Sequence, residues 1–385
     1  MENRAHSRAR LAAQARVKPP VIPLESGTHL WYSCGVIAEM ARPASLAADL
    51  PDWLPCSLSD YRRLDDVQIR GWQRIDSWAS LRAICFDWLA IAATIWTAAH
   101  FARVWLYPLA IVVIGARQQG LIVLMHEASH RKLFRRAGWN DFAGEVLLAW
   151  PFFFSMFSYR ANHMAHHHHL NTELDPDWVR YLTGDAEERQ AWEYGRSLRA
   201  VLLPLLTDLV GWGAAAQVRR VLRLARPRNH DPRRAGPEAD EAAAARFGRY
   251  PAAWRWLFLA ALILTLVLTG AWVGFLLYWV VPALTVLKMC TRLRLLAGHF
   301  AINGGEGART TLTSPLVGFF LSPHQIGYHV EHHLYPAIYF RRLPELHQRL
   351  VASGAYDGRL PLRRTLGYWN LFKEWTESPL PAAVR

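Results

Sequence analysis

Three short stretches hold most of the chain's seventeen histidines: "HEASH" at 126–130, "HMAHHHH" at 163–169 and "HVEHH" at 329–333. On a helix, His126 and His130 are four residues apart and share a face. His163, His166 and His167 have i, i+3, i+4 spacing, and His329, His332 and His333 repeat it. Each group therefore presents several ring nitrogens to one side, and His299 in "RLRLLAGHF" adds one more. Eight or nine imidazoles exceed the four ligands of one zinc ion. They suit two metal ions with four or five nitrogens each and open or bridging positions. Imidazole serves iron, copper, zinc and nickel alike; iron is expected here, because two six-coordinate ions with vacancies suit dioxygen chemistry.

Taken alone, "HEASH" reads as the H-E-x-x-H pair of a zinc protease, with Glu127 as general base and Asp175 as a further ligand. That reading leaves at least six other clustered histidines without a purpose, so Glu127 is better placed beside the metal ligands than in acid–base work. A metal-buffering loop in a transporter is the other reading of a run such as "HHHH". His168 and His169 fall off the shared face and are read as packing or ligand-supporting residues. His324, just before the third group, is a weaker ligand candidate, and the isolated His347 is read as ordinary.

These groups need a scaffold that brings them to one level. The chain has 385 residues, 52% of them hydrophobic, with 18 Trp and a net charge of +13. A basic nucleic-acid binder would not carry several apolar stretches of about 20 residues, the length that crosses a bilayer. Such stretches occur at about 81–100, 104–125, 254–270 and 272–290, and predict four spans in two hairpins. The hairpin tips carry almost no Lys or Arg, only Arg103, so the positive-inside rule places both termini and the 126–253 region in the cytoplasm. The three histidine groups and His299 then share one membrane face. "VLLAWPFFFSMF" (146–157), interrupted by Pro151, predicts a re-entrant or surface helix, and 198–218, with Pro204 and Asp208, a helix lying along the membrane. Residues 1–75 read as a basic tail with interfacial helices, Trp53, Trp72 and Trp78 serving as anchors; 76–350 as the membrane domain with its cap; and 351–385 as a cytoplasmic tail. Cys34, Cys56, Cys85 and Cys290 form no C-x-x-C pair, which points to a reducing compartment.

The residues also resemble a known family. "RQQGLIVLMHEASHRKLF", "NHMAHHHHLNTELDPDW" and "GYHVEHHLYPAIYFRRLPELH" are similar to the three histidine boxes, and their surroundings, of the membrane fatty acid desaturase and hydroxylase superfamily, over roughly 80–350. The resemblance implies an all-α integral membrane protein, with about four spans and a cytoplasmic helical cap holding two irons. It also implies that His299 corresponds to an additional ligand before the third box. Family members often carry an acidic residue just before that histidine, where this chain has Gly298.

The implied activity is O2-dependent removal of two hydrogens from an aliphatic C–C bond of a fatty acyl or related substrate. The alternatives are hydroxylation or ketolation of a lipid or carotenoid on the same scaffold, and desaturation of a small specialised metabolite. Carboxylates near the ligands should orient the rings: Glu127, Asp175, Asp177 and Glu331 are the candidates. No haem motif, G-x-G-x-x-G unit or cysteine cluster occurs, so electrons are expected from a separate ferredoxin, rubredoxin or cytochrome. That partner would dock on basic residues such as Arg219, Arg220, Arg341 and Arg342. A bacterial inner membrane is the expected location.

Overall fold

The computed structural model describes residues 67–170, 175, 197–214, 250, 252–299, 308–356 and 362–377. Trp53, Asp177, Arg219 and Arg220 lie outside the described residues. The described chain is mostly helical, with two short parallel strands, β1 (Ala308–Leu312) and β2 (Leu362–Leu366), paired Ala308 to Leu362 through Leu312 to Leu366.

A short α1 (Val67–Trp72) precedes α2 (Ser77–Phe101), whose first turn is closed by Asp76: its carboxylate accepts from the backbone N–H of Trp78 at 3.1 Å and of Ala79 at 3.0 Å. α2 ends at Ala102 in the left-handed region, and α3 (Leu106–Ser129) returns antiparallel to it. With α8 (Trp272–His299), these are three helices long and apolar enough to cross a membrane. The fourth expected span, α7 (Ala252–Thr269), is apolar but shorter, and its outer side chains, such as Ile263 and Leu264, remain exposed for lipid to cover. α8 is longer than the 272–290 span read from the sequence: it continues without a break through its polar last turns to His299.

Between α3 and the second histidine group lies a bent pair, α4 (Ala137–Phe152) and α5 (Met156–His169), meeting at about 100°. The bend falls where Pro151 interrupts the apolar run, with Phe153 in the left-handed region. Buried Glu145 holds it: one carboxylate oxygen accepts from Ser155 Oγ at 2.8 Å and Phe157 N at 2.9 Å, the other from Trp150 Nε1 at 2.6 Å. Ser155 itself caps α5. α6 (Leu198–Leu209) has twelve residues, about 18 Å at 1.5 Å per residue, too short to cross.

After β1 come α9 (Pro315–Leu321), α10 (His329–Leu334) and α11 (Leu343–Ala352). Residues 362–377, in the segment read as a tail, form β2 and α12 (Gly367–Glu377), where Leu371 and Trp375 are buried against Leu293, Leu296 and Leu205. Another polar cluster is sealed between the spans. Asp87 of α2 accepts from Arg117 Nη1 of α3 at 2.9 Å and from His324 Nε2 at 2.7 Å, while the Arg117 guanidinium sits 3.8 Å over Phe319. His324 is therefore spent on tying the segment before α10 to α2 and α3.

Candidate metal centre

Four helices deliver the histidines. His126 lies in the last turn of α3 and His130 just beyond it; His163, His166 and His167 stand on α5; His299 ends α8; and His329, His332 and His333 occupy α10. Their positions are fixed from outside the centre. Buried Arg160 donates to the carbonyls of Ser129 at 2.8 Å and Ala128 at 3.0 Å and to Asp141 at 2.9 Å, so one guanidinium caps the end of α3 and locks α5 to it. Asn140 adds a bond from its amide to Ala128 O at 2.9 Å and accepts from Leu133 N at 3.1 Å.

The rings form two neighbouring clusters. In the first, potential ligand atoms of His126, His130, His163, His167 and His332 all lie within 4.8 Å of one another. His163 Nε2 stands 2.9 Å from His130 Nε2, and His167 Nε2 is 3.1 Å from both His163 Nε2 and His332 Nε2. The second contains His166, His299 and His333. His329 joins it, with Nε2 2.7 Å from His299 Nε2 and 3.1 Å from His333 Nε2. The eight histidines singled out by spacing, and His299 with them, are thus brought together. Spacing alone, however, sends each i, i+3, i+4 set to one point. In the fold adjacent residues divide: His167 serves the first cluster and His166 the second, and likewise His332 and His333.

The donor set fits metal ions. A neutral imidazole carries one N–H, so when its Nδ1 donates outward its Nε2 presents a bare lone pair inward. His126 Nδ1 meets Glu127 Oε1 at 3.0 Å, and His166 Nδ1 meets both oxygens of Asp175 at 2.9 and 3.0 Å. His126 Nε2 is then buried with no hydrogen-bond partner, which is costly unless a cation takes its lone pair. Burial, with the neighbouring imidazoles, holds His130, His329 and His333 well below the usual histidine range. His332 is pushed down to about 3 by burial, with Arg294 and His166 adding to it. Neutral rings are the form that binds metal.

The other candidates are placed as follows. Glu331 is fully buried, but its carboxylate bonds Thr310 Oγ1 at 2.5 Å, His347 Nδ1 at 2.7 Å and the Tyr356 hydroxyl, none of them in either cluster. It ties α10 to β1 and α11. His168 is exposed and bonds Met164 O at 2.6 Å. His347, read as ordinary, is the partner of Glu331, and Arg160, Asn140 and Glu145 were not singled out by spacing. Their signal in the sequence is slight, since a lone Arg or Asn between apolar residues reads equally well as surface.

The elements and the clusters together define a helical membrane protein with a two-part polyhistidine centre at the ends of its membrane helices. Residues 102–365 match the sequence model of the fatty acid desaturase family. The chain belongs to that family. It is similar to a dihydrorhizobitoxine desaturase of Bradyrhizobium elkanii, at 29% identity over 61% of this chain and 65% of that protein. It is also similar to an sn-1 oleoyl-lipid 12-desaturase of Arthrospira platensis, at 27% identity over 36% of this chain and 37% of that protein. A Delta(8)-fatty-acid desaturase of Helianthus annuus is 26% identical over 31% of this chain and 26% of its own length. This chain covers less than two thirds of the length of each of these relatives.

Proposed function

We propose that this protein is a membrane di-iron desaturase, removing two hydrogens from adjacent carbons of an aliphatic substrate with O2 as oxidant and water as the reduced product. The observation that carries the reading is the splitting of neighbouring residues, His166 from His167 and His332 from His333, between two clusters that share a wall of imidazoles. Such a wall suits two ions acting on one small molecule rather than two separate structural sites.

His126, His130, His163, His167 and His332 would hold one iron, and His166, His299, His329 and His333 the other. Two ferrous ions there would supply O2 activation and hydrogen abstraction from an unactivated C–H bond. The chain's own part is positional. Glu127 and Asp175 hold the rings of His126 and His166 in the tautomer that faces inward, Arg160 fixes α3 against α5, and the apolar walls exclude water.

Two electrons per turnover come from a separate ferredoxin, rubredoxin or cytochrome, docking on the basic side that carries Arg341 and Arg342. The charge asymmetry of the loops supports a cytoplasmic centre in a bacterial inner membrane. The relatives' names span acyl lipids and dihydrorhizobitoxine, so the substrate class extends from acyl chains to small aliphatic metabolites.

The test is O2 uptake by purified, iron-loaded protein with a reductant system, and products two hydrogens poorer than the substrate. His167→Ala should abolish turnover while leaving membrane insertion intact. Failure to bind two irons per chain, together with no O2 uptake on any acyl or small-metabolite substrate, would sink the reading. Gain of oxygen in the product would move it to hydroxylation.

A further inference from the structure

One cation beside the centre lacks a paired carboxylate among the described residues. Thr291, Arg294 and Gly298 of α8 stand at i, i+3 and i+7, which at 100° per residue keeps them within about 60° of one line. Both ends of that line face inward: Thr291 Oγ1 donates to the side-chain oxygen of Gln119 on α3 at 3.0 Å, and Gly298 abuts the ring of His329. Arg294 therefore projects toward α3 and α10, about 7.5 Å before His299 along the axis. Its charge is felt in both clusters. Behind burial and, for His329, the rings of His299 and His332, it helps hold His329 and His332 below the usual histidine range.

Arg294 Nε is buried with no hydrogen-bond partner, and among the described residues no hydrogen bond or ion pair reaches the rest of the guanidinium. The nearby carboxylates are bonded elsewhere: Glu127 to His126, Asp175 to His166, and Glu331 to Thr310, His347 and Tyr356. One turn on, where family members often carry an acidic residue, this chain has Gly298. By contrast Arg117 is paired with Asp87, Arg160 with Asp141, and Lys288 and Arg292 with Asp208. A guanidinium left unpaired against a largely apolar interior is costly, and its fork of N–H donors matches a carboxylate in two parallel bonds. Nor is it sealed. Arg294 is half-buried, as are His130 and His167 of the first cluster and His299 and His329 of the second, so guanidinium and rings both keep open surface.

A plain hydrocarbon chain or a neutral ester beside Arg294 would leave its charge unmet, whereas a carboxylate would meet it. We propose that the substrate carries a carboxylate close to the carbons that are oxidised, and that Arg294 is the specificity residue that holds it. An extended chain covers about 3.4 Å per three bonds, so the roughly 7.5 Å from Arg294 to the level of His299 corresponds to about six bonds. The substrate is then a carboxylic acid used free rather than as a lipid ester. This deepens the desaturase reading and rests on it only for what is oxidised; the binding stands on its own.

The test compares labelled octanoate with labelled methyl octanoate on the iron-loaded full chain, by equilibrium dialysis for binding and by O2 uptake with product analysis for turnover. The wild type should favour the acid about 10–100-fold, the worth of a hydrogen bond between charged groups. Arg294→Gln should erase that ratio by weakening octanoate alone, with methyl octanoate binding and iron content unchanged. Arg294→Lys, which keeps the charge but loses the fork, should retain part of it. A ratio measured on one preparation does not depend on its folded fraction. Equal binding of acid and ester by the wild type, no binding of the acid, or a ratio unmoved by Arg294→Gln would overturn the inference. Joint loss of acid, ester and iron in Arg294→Gln would also overturn it, since Arg294 would then support the centre rather than the ligand. Preference for the acid with no O2 uptake would instead count against the desaturase reading and leave the inference standing.

Discussion

Gly298 precedes His299, a proposed ligand, and is the point where α8 meets the ring of His329. A Cβ built there would lie 2.5 Å from Cδ2 and 2.7 Å from Nε2 of that ring. Carbon atoms pack at about 3.5–4.0 Å, so Gly298→Ala must drive the ring back by roughly 1 Å. Metal–ligand distances tolerate about 0.2 Å. The displacement is several times that, and the neighbours His299 and His333, at 2.7 and 3.1 Å from His329 Nε2, leave the ring no other way to keep its place. The second cluster should therefore lose its ion while the first, none of whose atoms is among the three nearest to that Cβ, keeps its own. Elemental analysis should fall from about two irons per chain to about one, with turnover lost. Gly274→Ala on the same long helix, with nothing within 4 Å, is the matched control and should change nothing. Two irons and full turnover in Gly298→Ala would refute both the placement of His329 in the second cluster and the geometric argument.

Three further perturbations separate support of the rings from support of the fold. Asp175→Asn keeps the shape beside His166 but removes the carboxylate charge that faces its Nδ1, and should weaken iron binding at the second cluster about 10–100-fold in a chelator competition, with little change in melting temperature. Glu331→Gln should do the opposite. Its partners are Thr310, His347 and Tyr356, so both irons should remain while stability falls by about 1–3 kcal/mol; loss of iron without loss of stability would contradict that assignment. Arg117→Met leaves the buried carboxylate of Asp87 with His324 but without its permanent counter-ion and should cost about 3–5 kcal/mol in thermal unfolding, whereas adding Asp87→Asn should recover a large part; strictly additive losses would show that the pair is not coupled.

Eight of the nine histidines were legible because a metal centre would need many donors of one type and helical spacing groups them in plain view; His299 was legible only from its place after the last apolar stretch and from the family resemblance. Their division into clusters was not legible. The i, i+3, i+4 pattern marks one face, but His166 and His167 are about 100° apart on it, and only the packing of α10 against α5 decides which ring turns to which cluster. The long helices were legible from apolar length, α7 within two residues of its read bounds, and the bend from Pro151; the extension of α8 to His299 was not, because polar last turns look like loop when read for hydropathy. The missing acidic residue at 298 has a physical reason in the fold, since any side chain there would occupy the place of the His329 ring. Asp87 and Arg117 stood inside apolar runs as isolated charges, and their thirty-residue separation hid that each is the other's counterion.

The sharing of two helices between two clusters has a consequence for how the centre fills. Arg160 and Glu331 already hold α5 and α10, so the first ion to arrive has only rings to order, and ordering His167 and His332 restricts His166 and His333 beside them. The conformational cost of the second arrival has then already been met. The centre should load as a unit, passing from empty to full with few half-filled molecules, so that a cell short of iron holds fewer working copies rather than many impaired ones.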